Sequence, residues 1–500
     1  MLNRSLSTIV LLLAFTSSLV QGQVVTSGED YSVVGAAYVG QTDDWAEEFA
    51  KLNARLSTLE DDVADRIESG DDGGDALDEL DERLSELEDG LEDYGESIDD
   101  IEGTIPGLVH HSHKGPKLNF FGRIHYDYWA FPNTDPTIFP LEGGNPQDRF
   151  LFRRLRLGVK GDINDNVYYN FESEFAGGSS SFRDAYIMFK SRPYLQDVII
   201  GNHKRPYGLD HWNSSRYNPF IERPFIIEAF NQDSRRFGIS SWGVSCDQKY
   251  NWQVGFFNQV LSQVSGQYVD DHYQPEIAGR FSAMPWYDEC SGGRGYAHFA
   301  ISGSVGNPDG GGPNNAARYR TRPEARTTNR WLDTGTIAGA EENMLIGLEG
   351  VINIGAMQIV GEYQRANVTR SAAFGNGLEF DGGYIQVGYF LTGEHAPWDR
   401  KRGKLARVKP FENFFAVRDC DCNIRRGWGA IQLVSRYSWA DLTDEDIFGG
   451  EANSLTTGFN WWFNPYSRLQ FNWIMGDVED NGGAGFGDYN VIGARWMVDF

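Results

Sequence analysis

The chain has 500 residues, with 58 Gly, 32 Phe, 23 Tyr, 14 Trp, four Cys and a formal net charge of −27. Aromatic residues are enriched in strands, so this composition favours a chain rich in β-structure. Its length and its four cysteines exclude the disulfide framework of a small secreted domain.

The first 22 residues have the layout of a secretory signal peptide. A basic residue precedes an apolar run that is too short to span a bilayer. Val20 and Gly22 stand at the −3 and −1 positions of a cleavage site before Gln23. An uncleaved membrane anchor is the alternative. We expect residues 1–22 to be removed, which leaves an exported chain that begins with a linker at 23–44.

Most of the negative charge belongs to one segment. From Asp43 to Glu102 there are 25 Asp plus Glu against 4 Lys plus Arg, a net −21 that leaves −6 for the rest. Apolar residues recur there at steps of three and four, the spacing of a coiled coil. They are Trp45, Phe49, Leu52, Leu56, Leu59 and Val63, then Leu77, Leu80, Leu84, Leu87, Leu91, Tyr94, Ile98 and Ile101. We predict an N-terminal α-helical coiled coil at 45–105 that joins copies of the chain, although glycines interrupt its middle. A disordered acidic spacer is the alternative.

Residues 106–117 have the character of a linker. Three of its side chains are potential metal ligands, namely His110, His111 and His113. Neither this tract nor the C-x-C motif at 420–422 has partner ligands at a suitable spacing, so we expect no metal at either place. The four cysteines leave a disulfide open without assigning its pairing.

From Leu118 onward the hydrophobic period changes to two, the period of a strand with one apolar face. The apolar face of the first segment consists of Leu118, Phe120, Ile124, Tyr126 and Tyr128, and that of the last consists of Ile492, Ala494, Trp496, Val498 and Phe500. Roughly sixteen such segments have the length of a tilted transmembrane strand, and tight turns alternate with long connections between them. We therefore predict an all-β fold at 118–500, an antiparallel transmembrane barrel of about 16 strands. A soluble sandwich or propeller is the alternative.

Four arginines fall within the nine residues RYRTRPEAR, at Arg318, Arg320, Arg322 and Arg326. In an extended chain, side chains two residues apart point the same way at a spacing of about 6.8 Å. Guanidinium groups replace the water that an oxyanion loses in a narrow pore, because they bind its oxygens bidentately. We interpret the stretch as an arginine ladder for anions. An exposed loop with four solvated arginines is the alternative.

Seven sequence blocks occur in the order that is typical of the phosphate-selective porins O and P, and the chain resembles that family from Leu118 to Phe500. The blocks are FRRLRLGVKGDINDN, FRDAYIMF, IIGNHKRPYG, NSSRYNPFIERPF, RYRTRPEAR, GYFLTGE and VSRYSWADL. The resemblance implies a sixteen-stranded barrel that forms homotrimers. It also implies that three connections fold into the lumen: the third and fifth outer loops, at about 206–235 and 306–342, and the seventh periplasmic turn, at about 393–427.

The turn at 393–427 carries nine Lys plus Arg against five Asp plus Glu. Inside the lower vestibule, this positive excess would draw anions through the pore. A solvated basic turn that protrudes from the barrel is the alternative.

The resemblance also assigns ten pore residues, whose guanidinium and hydroxyl groups would donate to the oxygens of phosphate and whose one carboxylate would accept from a protonated oxygen. They are Arg318, Arg320, Arg322, Arg326, Arg223, Ser214, Ser215, Asp184, Arg153 and Arg154. The sequence departs from the family pattern in two ways. His211 precedes the serines where a basic residue is expected, which weakens the expected preference for phosphate. Arg153 falls on the apolar face of its strand, so that only Arg154 need reach the lumen.

These observations favour a passive outer-membrane channel for small anions, with phosphate or a related oxyanion preferred. The alternatives are a general-diffusion or carbohydrate porin, and a barrel anchor whose periplasmic coiled coil contacts peptidoglycan. No H-E-x-x-H or G-x-S-x-G motif is present, and we expect no enzyme activity. The expected partners are anions, outer-membrane lipid and other copies of the chain, with no cofactor and no nucleic acid.

Overall fold

A computed structural model describes residues 116–500, except for 179, 232–234, 261–272, 310–314, 419–421 and 480. The predicted signal peptide, the coiled coil at 45–105 and the linkers before residue 116 lie outside the described residues. Among the residues described, no helix combines the length and the apolar character that crossing a membrane requires.

Sixteen antiparallel strands close into a barrel in which each strand pairs with its neighbours in chain order and the last pairs with the first. They are β1 (Asn119–Thr134), β2 (Arg149–Asn164), β3 (Val167–Glu174), β4 (Ser181–Arg192), β5 (Gln196–Lys204), β6 (Arg235–Val244), β7 (Tyr250–Asn258), β8 (Pro275–Tyr287), β9 (Gly295–Gly306), β12 (Ala340–Ile354), β13 (Met357–Arg370), β14 (Leu378–Phe390), β19 (Ala430–Asp444), β20 (Ile447–Asn464), β21 (Ser467–Glu479) and β22 (Gly487–Asp499). The prediction of a sixteen-stranded all-β barrel is confirmed.

The remaining elements lie in the connections between barrel strands. Three short sheets pair β10 (Arg320–Thr321) with β11 (Leu332–Asp333), β15 (Trp398–Asp399) with β16 (Lys404–Leu405), and β17 (Phe415–Arg418) with β18 (Ile424–Gly427). Within the described part of the chain there are three short helices, α1 (Phe139–Glu142), α2 (Leu209–Trp212) and α3 (Phe225–Phe230), and a 3₁₀ turn, Pro136–Ile138, precedes α1.

The barrel is apolar outside and polar inside, which is the reverse of a soluble protein. In β1, Phe120 and Ile124 are exposed on the outer face, whereas Arg123, His125 and Asp127 are buried on the inner face. This alternation follows from the period of two, because successive side chains of a strand point to opposite faces. An apolar outer wall of this kind is suited to lipid, and the polar interior is suited to water and ions.

A β-bulge changes the alternation in β2 and corrects one prediction. His125 of β1 pairs with Arg154, and the next residue, Tyr126, pairs with Phe152, so Arg153 is the extra residue. The side chain of Arg153 reaches the interior, where its Nε donates to Glu222 Oε1 at 2.7 Å. The prediction that Arg153 lies on the apolar face is therefore wrong, because one inserted residue shifts the parity of the strand.

The two ends of the barrel differ in their connections. At one end, here the short-turn end, six connections of two to seven residues accompany one long insertion at 391–429. That insertion is the sixth connection at its end, so its prediction as the seventh is wrong. At the other end, the third and fifth connections are long, as predicted. We name these three connections L3 (205–234), L5 (307–339) and T6 (391–429).

L3 crosses the interior of the barrel. The Gly208 amide donates to Ser302 Oγ of β9 at 3.2 Å, and farther along the loop the Ile221 amide donates to Asn472 Oδ1 of β21 at 2.8 Å. Apolar residues of L3 and L5, including Phe225 and Trp331, pack in one buried cluster with residues of β1, β7–β9, β12–β14 and β19–β22. This packing narrows the lumen and leaves a cavity against β1–β7.

T6 divides into an inner and an outer part. In its inner part, the Leu405 amide donates to Asn213 Oδ1 of L3 at 3.0 Å, and Arg280 of β8 donates to Gly403 O at 3.0 Å. In its outer part, Phe414 packs on Phe463, which belongs to the outer face of β20. The inner part of the segment thus folds into the barrel, whereas the outer part packs on the outside of the barrel wall.

Candidate anion path

A cavity of about 580 Å³ lies between β1–β7 and the inner surfaces of L3, L5 and T6. Fifteen Lys and Arg residues line it, against four acids: Glu172, Asp184, Glu222 and Glu228. The lining therefore carries an excess of eleven positive charges, in a chain whose net charge is −27. Clustered charge of one sign within low-dielectric walls raises the local concentration of the opposite ion.

The acids of the barrel wall hold its arginines in place. Glu172 of β3 is 1% exposed and binds Arg123, and it accepts a hydrogen bond from Arg156 Nη1 at 3.0 Å. Asp184 of β4 accepts two hydrogen bonds from Arg235, at 2.8 and 2.7 Å. Both oxygens of Asp184 are thus engaged by a guanidinium, so this predicted phosphate ligand positions an arginine of the wall.

The four arginines of the predicted ladder are divided between two cavities. Arg322 and Arg326 line the main cavity. Arg318 and Arg320 line a second cavity of about 340 Å³. The predicted alternation is present, since Tyr319 and Thr321 are buried between less buried arginines. Only Arg320–Thr321 forms a strand, the chain bends at 323–325 with Glu324 at a φ of 53°, and the four arginines do not form one continuous row in a single cavity.

Carboxylates neutralise some of these arginines. Arg318 Nε donates to Asp333 Oδ1 at 2.8 Å, and Arg322 Nη1 donates to Glu228 Oε1 at 2.8 Å. Among the described residues, Arg326 forms no ion pair. Repulsion from Arg153, together with burial, lowers the pKa of Arg326 to about 10, which still leaves it charged at neutral pH.

The predicted residues of L3 also line the main cavity. Ser215 Oγ accepts from Arg123 Nη1 at 3.1 Å, and Arg223 Nη1 donates to Asp210 Oδ1 at 3.0 Å. Ser214 Oγ accepts from the Arg216 amide at 3.3 Å. Hydroxyl groups are therefore present beside the guanidinium groups.

The predicted pair on β2 reaches the same cavity. Arg153 binds Glu222 through both Nε and Nη2, at 2.7 and 3.0 Å. Arg154 is 7% exposed, and its Nη1 lies 3.3 Å from His125 Nδ1. Of the ten predicted residues, the cavity thus brings together all but Arg318 and Arg320.

His211 is buried, and its Nε2 lies 3.1 Å from the carbonyl oxygen of Arg205. Burial and the nearby charge of Lys204 lower the pKa of His211 well below its usual range, so it is neutral. Ten further basic residues of the lining were not among the predicted site residues, and they include Lys204 of β5 and Lys404 of T6. Lys204 Nζ donates to the carbonyls of residues 211, 212 and 213 at 2.9, 3.1 and 2.8 Å, and so holds the bend of L3.

Because of Lys404, we expect the anion selectivity of the channel to depend on pH. Burial, together with the charge of Arg402, lowers the pKa of Lys404 to about 8. The ammonium is therefore charged below pH 8 and neutral above it, so anion selectivity should fall in part as the pH rises from 7 to 9. Reversal potentials in a salt gradient measure this change. Lys404→Arg should remove the dependence, because an arginine stays charged. An unchanged pH profile in Lys404→Arg would assign the titration to another group.

Comparison with known proteins identifies a family and several similar chains. The sequence profile described as phosphate-selective porin O and P matches residues 119–500. An uncharacterized protein of Caulobacter vibrioides is 29% identical over 364 residues, which cover 70% of this chain and 68% of that protein. The outer membrane channel DcaP of Acinetobacter baumannii is 13% identical, with a TM-score of 0.46 and coverage of 78% of this chain and 99% of that one. The anion-selective porin from Comamonas acidovorans is 13% identical, with a TM-score of 0.45 and coverage of 77% and 100%.

Proposed function

The chain belongs to the phosphate-selective porin O and P family, and from this premise we propose that it is a passive outer-membrane channel for small anions, preferring phosphate or a related oxyanion. The observation that carries the proposal is the lining of the main cavity, where fifteen basic residues face four acids. L3 contributes Arg216 and Arg223 to this lining, and L5 contributes Arg322, Arg326 and Arg330.

Guanidinium groups suit this role for physical reasons. An oxyanion that enters a narrow cavity loses water, and planar N–H donors replace its hydration in a bidentate geometry. Attraction of about 4 kcal/mol per close charge pair, at an effective dielectric near 20, offsets part of that loss. The ion must also leave, and a cavity with many similar sites allows it to pass from one to the next.

Ion pairing within the lining restrains the binding strength. Arg322 and Arg223 each share their charge with a carboxylate, whereas Arg326 does not share it within the described part of the chain. In this proposal the anion binds weakly at the paired arginines, moves from one to the next, and binds most strongly at Arg326. Ser214 and Ser215 donate hydroxyl hydrogen bonds to the oxygens that remain.

The proposal extends to assembly and placement. Residues 1–22 direct export, three copies of the barrel associate in the outer membrane, and the coiled coil at 45–105 extends into the periplasm. The apolar positions of that acidic segment support association, since a single helix with a net charge of −21 would repel itself. Contact of the coil with peptidoglycan is an additional role, and truncation of 45–105 would abolish it while leaving conduction intact.

A carbohydrate porin is the second candidate, because aromatic residues also line the cavity. Two of them are tryptophans, and both have cations on their faces. Arg402 lies 5.3 Å from the ring of Trp242, and Lys404 lies 5.8 Å from the ring of Trp212. A sugar would have to displace these cations in order to stack, so the cavity favours an anion over a neutral sugar.

The test is a planar-bilayer measurement on the purified full chain. A potassium chloride gradient should give an anion-selective reversal potential, and phosphate added to chloride should block the current in a saturable way. Maltose serves as the control for a sugar site and should have no effect. Cation selectivity, or a current indifferent to phosphate, would contradict the proposal.

A further inference from the structure

The outer part of T6 is a hairpin that lies on the outside of the barrel. It consists of β17 and β18 within the segment 411–428, of which the structure describes 411–418 and 422–428, and we name it the outer hairpin. The Phe414 amide donates to Phe463 O at 2.6 Å, and Trp461 Nε1 donates to Trp428 O at 2.7 Å. Both partners on β20 belong to its outward face, so the hairpin is fixed to the wall that faces away from the pore.

The outer hairpin exposes large apolar side chains even though it is held to the barrel. Phe411 is 67% exposed, Phe415 68%, Ile424 75% and Trp428 72%. Polar side chains would be expected at these positions if the hairpin were surrounded by water. Clustered apolar exposure of this kind marks a surface that another apolar phase covers.

The apolar surface of the hairpin is continuous with the outer wall of the last strands. The ring of Phe414 lies 4.7 Å from that of Trp461, and the ring of Phe463 lies 5.6 Å from that of Trp496. Trp496 itself is 54% exposed on the same wall. The hairpin follows β14 and precedes β19 at the short-turn end, so these aromatic rings mark the edge of the apolar band.

The charges of the outer hairpin are balanced. Arg418, Arg425 and Arg426 are exposed, and the sequence of the segment contains three acids, at 412, 419 and 421. The sequence of the segment is thus neutral, and exposed aromatic and arginine side chains suit a zwitterionic headgroup, whose phosphate accepts from guanidinium donors. It does not suit an anionic surface, which would call for an excess of basic residues.

We infer that the outer hairpin is seated in the phospholipid leaflet at the short-turn end, at the boundary between headgroups and acyl chains. Its apolar side chains lie among the acyl chains and its arginines bind lipid phosphates. The hairpin thereby ties T6 to the membrane, while the inner part of the same connection lines the anion cavity through Arg402 and Lys404. This inference depends on the outer-membrane placement and not on which solute the pore conducts.

Native cysteines provide a matched pair of probe positions. Cys422 lies in the outer hairpin, and Cys246 lies in the turn 245–249 at the same end of the barrel, away from the hairpin; both are free and exposed. Two single-cysteine chains, one retaining Cys422 and the other Cys246, are made by changing the remaining cysteines to serine. Each is labelled with a nitrobenzoxadiazole fluorophore and placed in phosphatidylcholine vesicles.

The Cys422 label should show blue-shifted emission, strong quenching by headgroup spin-labelled lipid and little quenching by iodide. The Cys246 label should show the opposite pattern. Substitution of Phe411→Ser, Phe415→Ser and Ile424→Ser together should expose the Cys422 label to iodide, with the heat-dependent gel mobility of the folded barrel retained. An anionic lipid, phosphatidylglycerol, should leave the result unchanged, because the sequence of the segment 411–428 has no net charge.

Three outcomes would overturn the inference. Equal iodide quenching of the two labels would place the hairpin in water. Shielding from both iodide and spin-labelled lipid, with cross-linking of Cys422 between chains, would make a second copy of the chain the occupant. Persistent shielding in the triple serine variant would show that the apolar side chains do not seat the hairpin.

Discussion

Replacement of Arg326 by glutamate should raise the phosphate concentration needed for half-block by about tenfold or more and should reduce anion selectivity. A charge within 4 Å of an anion contributes from about 1 kcal/mol in water to about 4 kcal/mol at an effective dielectric of 20. Arg326 contributes strongly because no carboxylate of the described residues pairs with it, and because Arg153 and Arg322 add to the positive field around it. Every 1.4 kcal/mol changes an affinity about tenfold.

Graded substitutions give this prediction its control. Arg326→Ala removes one charge and should have roughly half the effect of Arg326→Glu on the free energy of block, because the glutamate changes two. Arg318→Ala is the matched control, since Arg318 lines the second cavity and is paired with Asp333. Single-channel recordings with a phosphate titration measure all three variants. Equal effects of Arg318→Ala and Arg326→Ala would mean that ion pairing does not set the contribution of each arginine.

Replacement of Glu324 by alanine should destabilise the barrel by about 3–5 kcal/mol, the usual cost of leaving a buried charge without its partner. Glu324 of L5 has a fully buried side chain that accepts from Arg436 Nη2 at 2.6 Å and from Thr456 Oγ1 at 3.0 Å. Ser438 Oγ donates to its other oxygen. The variant leaves Arg436, whose side chain is 1% exposed, uncompensated inside the barrel wall.

The same change should release L5 from the barrel wall, because Glu324 anchors it to β19 and β20. Single-channel conductance should rise and phosphate block should weaken, while urea unfolding followed by tryptophan fluorescence should show a lower midpoint. Adding Arg436→Met to Glu324→Ala should restore part of the unfolding free energy, since the unpaired charge is gone, but should not restore block. Glu324→Ala with unchanged conductance and an unchanged midpoint would show that L5 is held by other contacts.

The barrel could be predicted from the sequence because the residue pattern that forms each strand lies within that strand. Each strand carries its own alternation of apolar and polar residues, and the turn lengths follow from the gaps between strands, so sixteen strands could be counted without knowing any contact. The third and fifth outer loops came from a family resemblance, and they lie where it implied. Eight of the ten predicted pore residues line one cavity, and their role in binding anions stays a prediction.

The predictions that were wrong concern features that depend on contacts between residues distant in the chain. Arg153 points inward because a bulge opposite His125 and Tyr126 adds one residue, and no alternation in β2 alone reveals an added residue. The arginines of L5 separate into two cavities because Glu228 of L3 and Asp333 of L5 draw Arg322 and Arg318 to different places. The outer part of T6 lies outside the barrel because Phe414 packs on aromatic side chains of β20, about fifty residues later in the chain.

The placement of L3 has a consequence for the order of assembly. Fifteen of the sixteen strand pairings join neighbours in the chain, and only the pairing of β1 with β22 joins its two ends. L3 is bonded to the last strands as well, since Arg495 of β22 donates to Glu222 at 2.7 Å across 273 residues. Contacts so distant in the chain form late, because the intervening loop must first be closed. The loop that lines the pore therefore becomes fixed only when the C-terminal strand arrives, so the conducting interior and the sealed barrel are completed in the same step.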